Sequence, residues 1–154
     1  MIRKATEADL VRIAEIAVFV KRVNYRRIFC DDEFSFNQLT VVDTINTERA
    51  FLEDIWVYES DRIVKAYIHI CDGEIKELYT DHFFQGEGIG AELISYAINQ
   101  ESADRLWVLE KNSRAIAFYE RNGFKMTGER KLWNDTGQYV VKMARVAKFR
   151  RCIN

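Results

Sequence analysis

The spacing of apolar residues changes along this chain of 154 residues, and that change constrains the fold more than any other feature. From Thr6 to Val23, apolar residues recur three and four positions apart, as in a helix that is buried on one face. Between Ile55 and Thr80, three short segments rich in β-branched and aromatic residues are separated by turn residues typical of hairpins. The pattern therefore predicts helices first and an antiparallel meander after them.

In the first half of the chain, the pattern is clear in the first helix and the three strands and weaker from Asn24 to Glu53. Thr6, with Asp9 three residues later, resembles a capping box and predicts a helix start. A loop around Asp31–Asp32–Glu33 leads to a second helix that runs through Leu39, Val42 and Ile45. The three predicted strands are Ile55–Glu59, Ile63–Ile70 and Glu74–Thr80.

The second half alternates between helix and strand. The predicted elements are a helix over Ala91–Gln100, a strand over Arg105–Leu109, a helix over Ser113–Arg121 and a hairpin of Phe124–Trp133 with Gln138–Val146. Asn122–Gly123 ends the last helix with a left-handed cap. The order is ααβββαβαββ, with room for a short N-terminal strand. Because a strand–helix–strand unit normally pairs its strands in parallel, we predict an α+β fold with a mixed, mostly antiparallel central sheet flanked by helices.

Composition and charge exclude several classes of protein. The chain is 48% hydrophobic and 31% charged, with a formal net charge of −1, which fits one globular domain over residues 1–154. A nucleic-acid partner usually requires a basic face, so we expect none. The one basic cluster, Lys148, Arg150 and Arg151, is interpreted as a solvated tail.

The expected location is the cytoplasm. No apolar stretch reaches the ~18–20 residues of a membrane span, and Met1 to Leu10 lacks a signal-peptide core. Cys30, Cys71 and Cys152 are far apart, with neither a CxxC motif nor Cys/His ligand spacing. We therefore expect reduced thiols, no metal site and no membrane partner.

The segment Gln85–Ala91 lies between a predicted strand and a predicted helix and contains three glycines. Glycines permit positive φ and a close approach to the backbone, and the N-terminus of the following helix offers unpaired N–H groups to an anion. A turn that only changes chain direction is an equal alternative on the glycines alone. Gly86, Gly88 and Ala91 also satisfy the dinucleotide fingerprint, with Glu110 near the expected ribose-binding acid. Too few residues follow Glu110, however, for the remaining βαβ units.

Two motifs in this order resemble the GNAT superfamily of acyl-CoA-dependent N-acyltransferases. Gln85, Gly88 and Gly90 fill the family's Q/R-x-x-G-x-G/A loop. The second motif, N-x-x-A-x-x-F-Y-x-x-x-G-F, is filled by Asn112, Ala115, Phe118, Tyr119, Gly123 and Phe124. The resemblance extends over about residues 52–146 and implies a GNAT-like fold.

The resemblance implies acetyl-CoA as acyl donor and a set of residues that bind it. These are Leu78, Tyr79, Thr80, Gln85, Gly86, Glu87, Gly88, Ile89, Gly90, Ala91, Asn112 and Tyr119. Amides of the loop would hold the pyrophosphate, while Leu78 to Thr80 would pair with the pantetheine arm, opposite an edge lined by Leu109 to Asn112. By the same resemblance, a backbone N–H near Leu78 or Tyr79 stabilises the oxyanion, and Tyr119 is the general acid.

The general base is open among three alternatives: Glu74, Glu77 and water. Strand alternation places Glu74 and Glu77 on opposite faces. We interpret His69 and His82 as structural. Asn112 also suits the cap of the helix that begins at Ser113.

The predicted function is transfer of an acetyl group to a primary amine, on a small molecule or peptide, by direct attack on the thioester. A non-catalytic acyl-CoA-binding or interaction module is the first alternative, and a dinucleotide-binding oxidoreductase is the second. The family's acceptor region falls on residues 25–33 and near Trp133 and Gln138, where the charged residues are interpreted as a solvated face. Because such sheets often pair, a homodimer is an open alternative to a monomer.

Overall fold

A computed structural model describes residues 1–145, except for the side chain of Asp135. Two compact units make up the chain, Met1–Ala103 and a second unit that begins at Asp104. Val146, the basic residues Lys148, Arg150 and Arg151, and Cys152 lie outside the described residues. The prediction of one domain over residues 1–154 stays a prediction.

The first unit contains a four-stranded antiparallel sheet in the order β1-β2-β3-β4. The strands are β1 (Ile2–Lys4), β2 (Ile55–Ser60), β3 (Ile63–Cys71) and β4 (Glu74–Thr80). Asp61 and Arg62 both have positive φ (56° and 64°), as do Asp72 and Gly73 (49° and 75°). Two consecutive positive φ values match the right-handed twist of the flanking strands, so the two hairpins are tight, as predicted.

One face of this sheet is covered by α1 (Leu10–Phe29), which contacts α2 (Val41–Arg49). The apolar stripe of α1 is buried from Leu10 to Val20, and its core cluster combines Ile13, Ile16, Ala17 and Val20 of α1 with Ile55, Val57, Val64 and Tyr67 of the sheet. These sheet residues share a face because Val57 pairs with Tyr67 and Ile55 with His69. The helix–sheet contact is the principal core of the first unit.

The opposite face of the sheet is contacted by α3 (Ile89–Gln100), which packs against β3 and β4. Leu93, Ile94 and Ala97 are the buried positions of its apolar stripe. Trp56 of β2 reaches Tyr96, with ring centroids 6.2 Å apart. The first unit is therefore a three-layer arrangement in which the sheet lies between two layers of helix.

The second unit contains β5 (Arg105–Leu109), α4 (Ser113–Arg121), β6 (Phe124–Leu132) and β7 (Tyr139–Arg145). β7 pairs antiparallel with both β5 and β6. Gly123 has φ 91°, which is the left-handed position predicted to end the preceding helix. The bounds of β5 and α4 are those predicted from the sequence.

Two parts of the predicted order are corrected. The first helix does not end at Val23 but continues to Phe29, because Tyr25 and Phe29 are half-buried and prolong the apolar stripe. The predicted loop is shorter, since a π-helical turn occupies Phe34–Gln38, and Leu39 precedes the second helix instead of belonging to it. The N-terminal strand is present as β1, and the predicted capping box forms, with Thr6 N–H donating to the Asp9 carboxylate at 2.8 Å.

Within residues 1–145, no helix is long and apolar enough to span a membrane. Cys30 and Cys71 are free thiols. The cytoplasmic location stays a prediction.

Replacement of Ile55 tests the helix–sheet core. Ile55 is 0% exposed and lies under α1, so Ile55→Ala leaves a cavity and should lower the free energy of unfolding by about 3 kcal/mol. Urea denaturation at pH 7 measures the change. Ile63→Ala is the matched control, because Ile63 is 43% exposed at the start of β3 and its truncation should cost below about 1 kcal/mol. Equal losses in the two variants would contradict this account of the core.

Candidate active site

The segment between β4 and α3 has the backbone conformation that its glycines predict. Gly86 and Gly88 have φ values of 83° and 82°, and no atom lies within 4 Å of a Cβ built at either position. Gly86, Glu87 and Gly88 are exposed. Gly90 has no positive φ, because it already belongs to the first turn of α3. The junction is therefore open to solvent, and any residue other than glycine at position 86 or 88 would have a strained backbone.

The N-terminus of α3 follows this turn directly. Gly88 is the N-cap residue, and no side chain caps the helix there. Glu92 N–H donates to the Gly88 carbonyl at 3.1 Å, so the amides of the three preceding helical residues have no acceptor within the helix. Amides without an intrahelical acceptor, at the positive end of a helix dipole, can bind an anionic group.

Asp81 fixes the start of the junction. Its carboxylate accepts a hydrogen bond from Phe83 N–H at 2.9 Å and one from the Arg12 guanidinium at 2.5 Å. Gln85 then donates its side-chain amide to the Thr80 carbonyl at 3.1 Å. Sequence reasoning missed both Arg12 and Asp81. An aspartate just before a short helical turn was the available signal for Asp81, whereas Arg12 lies 69 residues away in sequence and gave none.

Leu78, Tyr79 and Thr80 lie at the end of β4, opposite Ile68, Tyr67 and Ala66 of β3. The register shifts between His69 and Ile70, so that β4 carries one extra residue at Lys76. This β-bulge interrupts the alternation of side chains. Glu74 pairs with Cys71 and Glu77 with His69, which places both carboxyl groups on the face that α1 covers. The prediction that Glu74 and Glu77 lie on opposite faces is therefore wrong.

Glu74 lies at the hairpin end of β4, where its carboxylate binds Lys76 Nζ at 2.8 Å. Leu78 is four residue steps along the strand from Glu74, roughly 13 Å at about 3.3 Å per residue. The structure does not bring Glu74 into contact with the polar residues around Glu77. Its catalytic role stays a prediction.

Glu77 is the centre of a polar cluster that lies between the sheet and the first two helices. Its carboxylate accepts hydrogen bonds from Lys21 Nζ at 2.8 Å and from the Tyr67 hydroxyl at 2.7 Å. The hydroxyls of Tyr25 and Tyr79 are 2.8 Å apart. We call the following six residues the Glu77 cluster: Lys21, Tyr25, Glu48, Tyr67, Glu77 and Tyr79. Sequence reasoning named Glu77 but not this set, because its members come from four different elements.

Burial is the largest influence on the pKa values in the Glu77 cluster, and neighbouring groups outweigh it only for Lys21 and Glu77. Burial and the adjacent Glu77 carboxylate raise the pKa of Glu48 to about 8. Burial alone would raise the pKa of Glu77, but Lys21 and the Tyr67 hydroxyl outweigh it and hold that pKa below its usual range. The pKa of Lys21 is raised, since Glu77 outweighs the opposing effect of burial. At neutral pH, Glu77 and Lys21 are thus charged.

The two histidines lie on the same side of the sheet as α1. His69 is 8% exposed and its ring contacts that of Phe51 in a tilted arrangement, with centroids 5.2 Å apart. Burial lowers the pKa of His69, so its imidazole is neutral at neutral pH. His82 contacts Phe19 of α1, with ring centroids 5.8 Å apart. The ring contacts agree with the structural role that the sequence predicted for both.

In the second unit, Asn112 and Tyr119 lie at the start and in the last turn of α4. Asn112 is the N-cap, and its side-chain oxygen accepts from Ala115 N–H at 3.2 Å, as the capping interpretation predicts. The Tyr119 ring contacts Phe118 and Phe124, with centroids 5.3 and 6.0 Å away. Cofactor contacts of these two residues stay predictions.

The predicted acceptor region is highly charged and mostly exposed. Arg26 binds Asp32 through two hydrogen bonds of 2.7 and 3.2 Å. A shallow pocket at the end of α1 is lined by Arg26, Arg27, Cys30 and Asp32. In the part of the chain that the structure describes, no group of three His, Cys, Asp or Glu residues could hold a metal ion.

Comparison with known proteins connects these features to one family. The sequence model of the acetyltransferase (GNAT) domain matches residues 52–126. The peptidyl-lysine N-acetyltransferase YjaB of Salmonella typhimurium is 31% identical over 94 residues, which cover 54% of this chain and 65% of that protein. Escherichia coli YjaB, with the same description, is 30% identical over 83 residues, or 52% of this chain and 56% of that protein. The matches thus span less than two thirds of either relative.

Solved structures extend the likeness to nearly the whole chain. The solution structure of apo YjaB from Escherichia coli superimposes with a TM-score of 0.74 at 23% identity, over 95% of this chain and 97% of that chain. The PaiA N-acetyltransferase of Thermoplasma acidophilum, in complex with coenzyme A, gives 0.68 at 22% identity, over 92% and 96%. These likenesses confirm the predicted fold class. The family model spans both sequence motifs, Gln85–Gly90 and Asn112–Phe124, so the comparisons identify the GNAT superfamily as the family that this chain resembles.

Proposed function

We propose that this protein is an N-acetyltransferase that moves the acetyl group of acetyl-CoA directly to a primary amine. The observation that carries the proposal is the exposed junction between β4 and α3, where Gly86 and Gly88 have positive φ within the residues that match the acetyltransferase (GNAT) domain. A site for the pyrophosphate of acetyl-CoA accounts for these glycines, so the proposal does not require a dinucleotide-binding domain.

The first part of the proposal is how the donor is bound. The amides of Ile89, Gly90 and Ala91, with those of Gln85 to Gly88 before them, form a backbone surface that can bind a pyrophosphate without lysine. Asp81 and the hydrogen bond from Gln85 to Thr80 hold this surface at the end of β4. The pantetheine amides would then pair with the backbone of Leu78 to Thr80.

The second part is the chemistry at the thioester. An amine that attacks the carbonyl carbon creates an oxyanion, which a fixed backbone N–H near Leu78 or Tyr79 would stabilise. The leaving thiolate needs a proton, and Tyr119 is proposed to donate it. A phenol with an ordinary pKa near 10 still holds its proton at neutral pH. It can donate a hydrogen bond to a thiolate, whose conjugate thiol has a pKa of about 8.5.

The third part is the base. Among the open alternatives, the geometry favours Glu77. Glu77 directly precedes Leu78 in the strand. Its side chain is 21% exposed, so an acceptor can reach it. Glu74, in contrast, is bound to Lys76 at the far end of the strand. We therefore assign the acceptor's proton to Glu77.

The acceptor is a primary amine, and a lysine side chain in a peptide is the first class to test. The support is that both YjaB relatives are described as peptidyl-lysine N-acetyltransferases. A small-molecule amine is the alternative acceptor. A non-catalytic acyl-CoA-binding module is the alternative function, because it would keep the same backbone surface.

A thiol-release screen decides between enzyme and module. Lysine peptides, peptides with a free N-terminus, polyamines and aminoglycosides are each incubated with acetyl-CoA and the protein, and mass spectrometry then locates the acetyl group. We expect release of the CoA thiol with the lysine peptides. Binding of acetyl-CoA with no release across the whole panel would favour the module.

Replacement of Gly88 tests the pyrophosphate site. Gly88→Ala strains a residue with φ 82° and shifts the amides that follow, so the Kd for CoA in calorimetry should rise about tenfold, a change of about 1.4 kcal/mol. Gly137→Ala is the matched control, because Gly137 has φ 70° and equally open surroundings but lies in the hairpin between β6 and β7. If both variants bind CoA as the wild type does, the site lies elsewhere.

Replacement of Tyr119 tests the general acid. Tyr119→Phe keeps the ring contacts with Phe118 and Phe124 but removes the hydroxyl, so kcat should fall by about 100-fold while the Kd for CoA changes little. Steady-state kinetics and calorimetry measure the two quantities. Tyr96→Phe, also on a helix and half-buried, is the control and should leave kcat unchanged. An unaltered kcat in Tyr119→Phe would remove this residue from the mechanism.

A further inference from the structure

The Glu77 cluster contains a second carboxyl group, that of Glu48, which the proposed reaction does not yet use. Glu48 is only 4% exposed, and its buried Oε2 has no hydrogen-bond partner within residues 1–145. Its carboxyl group lies in hydrogen-bonding contact with that of Glu77. Two carboxylates in contact repel each other when both are ionised, so such a pair favours one shared proton.

The donors around the pair show which carboxyl group holds the proton. Lys21 Nζ and the Tyr67 hydroxyl both donate to Glu77, at 2.8 and 2.7 Å. Glu77 is therefore stabilised as the anion. Without a donor to its buried Oε2, Glu48 is better accommodated as the neutral acid, whose O–H can be donated to Glu77. In that state, the charge of Lys21 balances the charge of Glu77.

Solvent reaches the two carboxyl groups unequally. The side chains of Lys21 and Glu77 are 17% and 21% exposed, whereas Glu48 is 4% exposed. An acceptor in solvent can therefore reach Glu77 more readily than Glu48. Glu48 does not meet the acceptor itself, but it determines how strongly Glu77 attracts a proton.

We propose, resting on the proposed function, that Glu48 is a positioning residue for acetyl transfer. It holds the shared proton of the Glu48–Glu77 pair, and release of that proton converts Glu77 into a base strong enough to deprotonate the ammonium form of the acceptor.

The proton balance of the step is complete with the acceptor and acetyl-CoA alone. With both carboxyl groups ionised, the pair takes one proton from R–NH3⁺ and leaves the neutral amine. The nitrogen then forms a C–N bond with the thioester carbonyl carbon, and the C–S bond breaks with its electron pair on sulfur. The nitrogen loses a second proton and the thiolate gains one, while the proton on the pair returns to solvent. Each turnover releases one proton.

The groups that face the pair leave Glu48 as the one that titrates near neutral pH. Those groups are Lys21 and Tyr25 from α1, Tyr67 and His69 from β3, and Tyr79 from β4. The pKa values of Lys21 and of the three tyrosines are raised, so these groups keep their protons, and that of His69 is lowered by burial. The pKa of Glu48, about 8, therefore sets the pH at which the fully ionised pair forms.

The first test measures kcat from pH 5.5 to 9.5 with the acceptor that the amine screen identifies. The wild-type rate should rise with a midpoint near pH 8. Glu48→Gln cannot release a proton, so that rise should disappear and kcat at pH 9 should be at least about tenfold lower. Glu48→Asp keeps an acid and should retain the rise. Glu53→Gln, at an exposed glutamate five residues further on, should match the wild type.

The second test needs no acetylation, which separates this inference from the proposed function. The folded-state pKa of Glu48 lies above its ordinary value of 4.5, so its stabilising contribution is fully present below pH 4.5 and is lost as the pH rises to about 8. Urea unfolding of the wild type and of Glu48→Gln, at one-unit steps from pH 4 to 9, measures this contribution. We expect the wild type to lose stability relative to the variant over that window.

The outcomes are distinct. A pH-independent stability difference between the wild type and Glu48→Gln, or an unchanged kcat profile in the variant, overturns the role of Glu48 and leaves the acetyltransferase intact. If no amine is acetylated but the stability difference follows pH as expected, the shared proton stands, while the proposed function and the catalytic role of Glu48 both fail.

Discussion

Burial of one face of α1 against β2 and β3 is the interaction on which the rest of the first unit depends. Ile13, Ile16 and Ala17 are removed from water there, and each buried side chain of this kind contributes on the order of 1–3 kcal/mol. The same helix directs Arg12 to Asp81 at the end of β4 and Lys21 to Glu77 within that strand. One apolar contact thus positions both the turn that is proposed to bind the donor and the carboxylate that is proposed to act on the acceptor.

Electrostatics in the Glu77 cluster depends on this layer because α1 and α2 exclude water from it. A carboxylate and an ammonium group attract each other more strongly when water is partly excluded. Glu77 stays charged because Lys21 and Tyr67 supply donors, while Glu48 lies deeper and is held neutral. The pKa values of two identical side chains are therefore shifted in opposite directions, and their surroundings alone account for the difference.

The sequence predicted the order of elements and the glycine turn well, because both depend on local patterns. Hairpin residues, helical spacing and the two motifs act over a few positions, and the bounds of β4, β5 and α4 follow from them. The polar cluster could not be predicted in the same way, since Lys21, Glu48 and Glu77 meet only after three separate elements pack together. The end of α1 was misplaced for a related reason: Tyr25 and Phe29 prolong its stripe, but polar residues between them obscure the period.

The extra residue at Lys76 makes the alternation of side chains in the hairpin end of β4 independent of the alternation near Glu77. Because two residues there oppose one on β3, a deletion at the bulge would restore regular pleating and still leave Glu77 and Tyr79 directed toward α1. A deletion beyond Glu77 would instead turn Tyr79 and Thr80 over to the other side of the sheet. The bulge lies on the hairpin side of Glu77. The hairpin can therefore lose a residue at this point while the contacts between β4 and α1 keep their side-chain orientation.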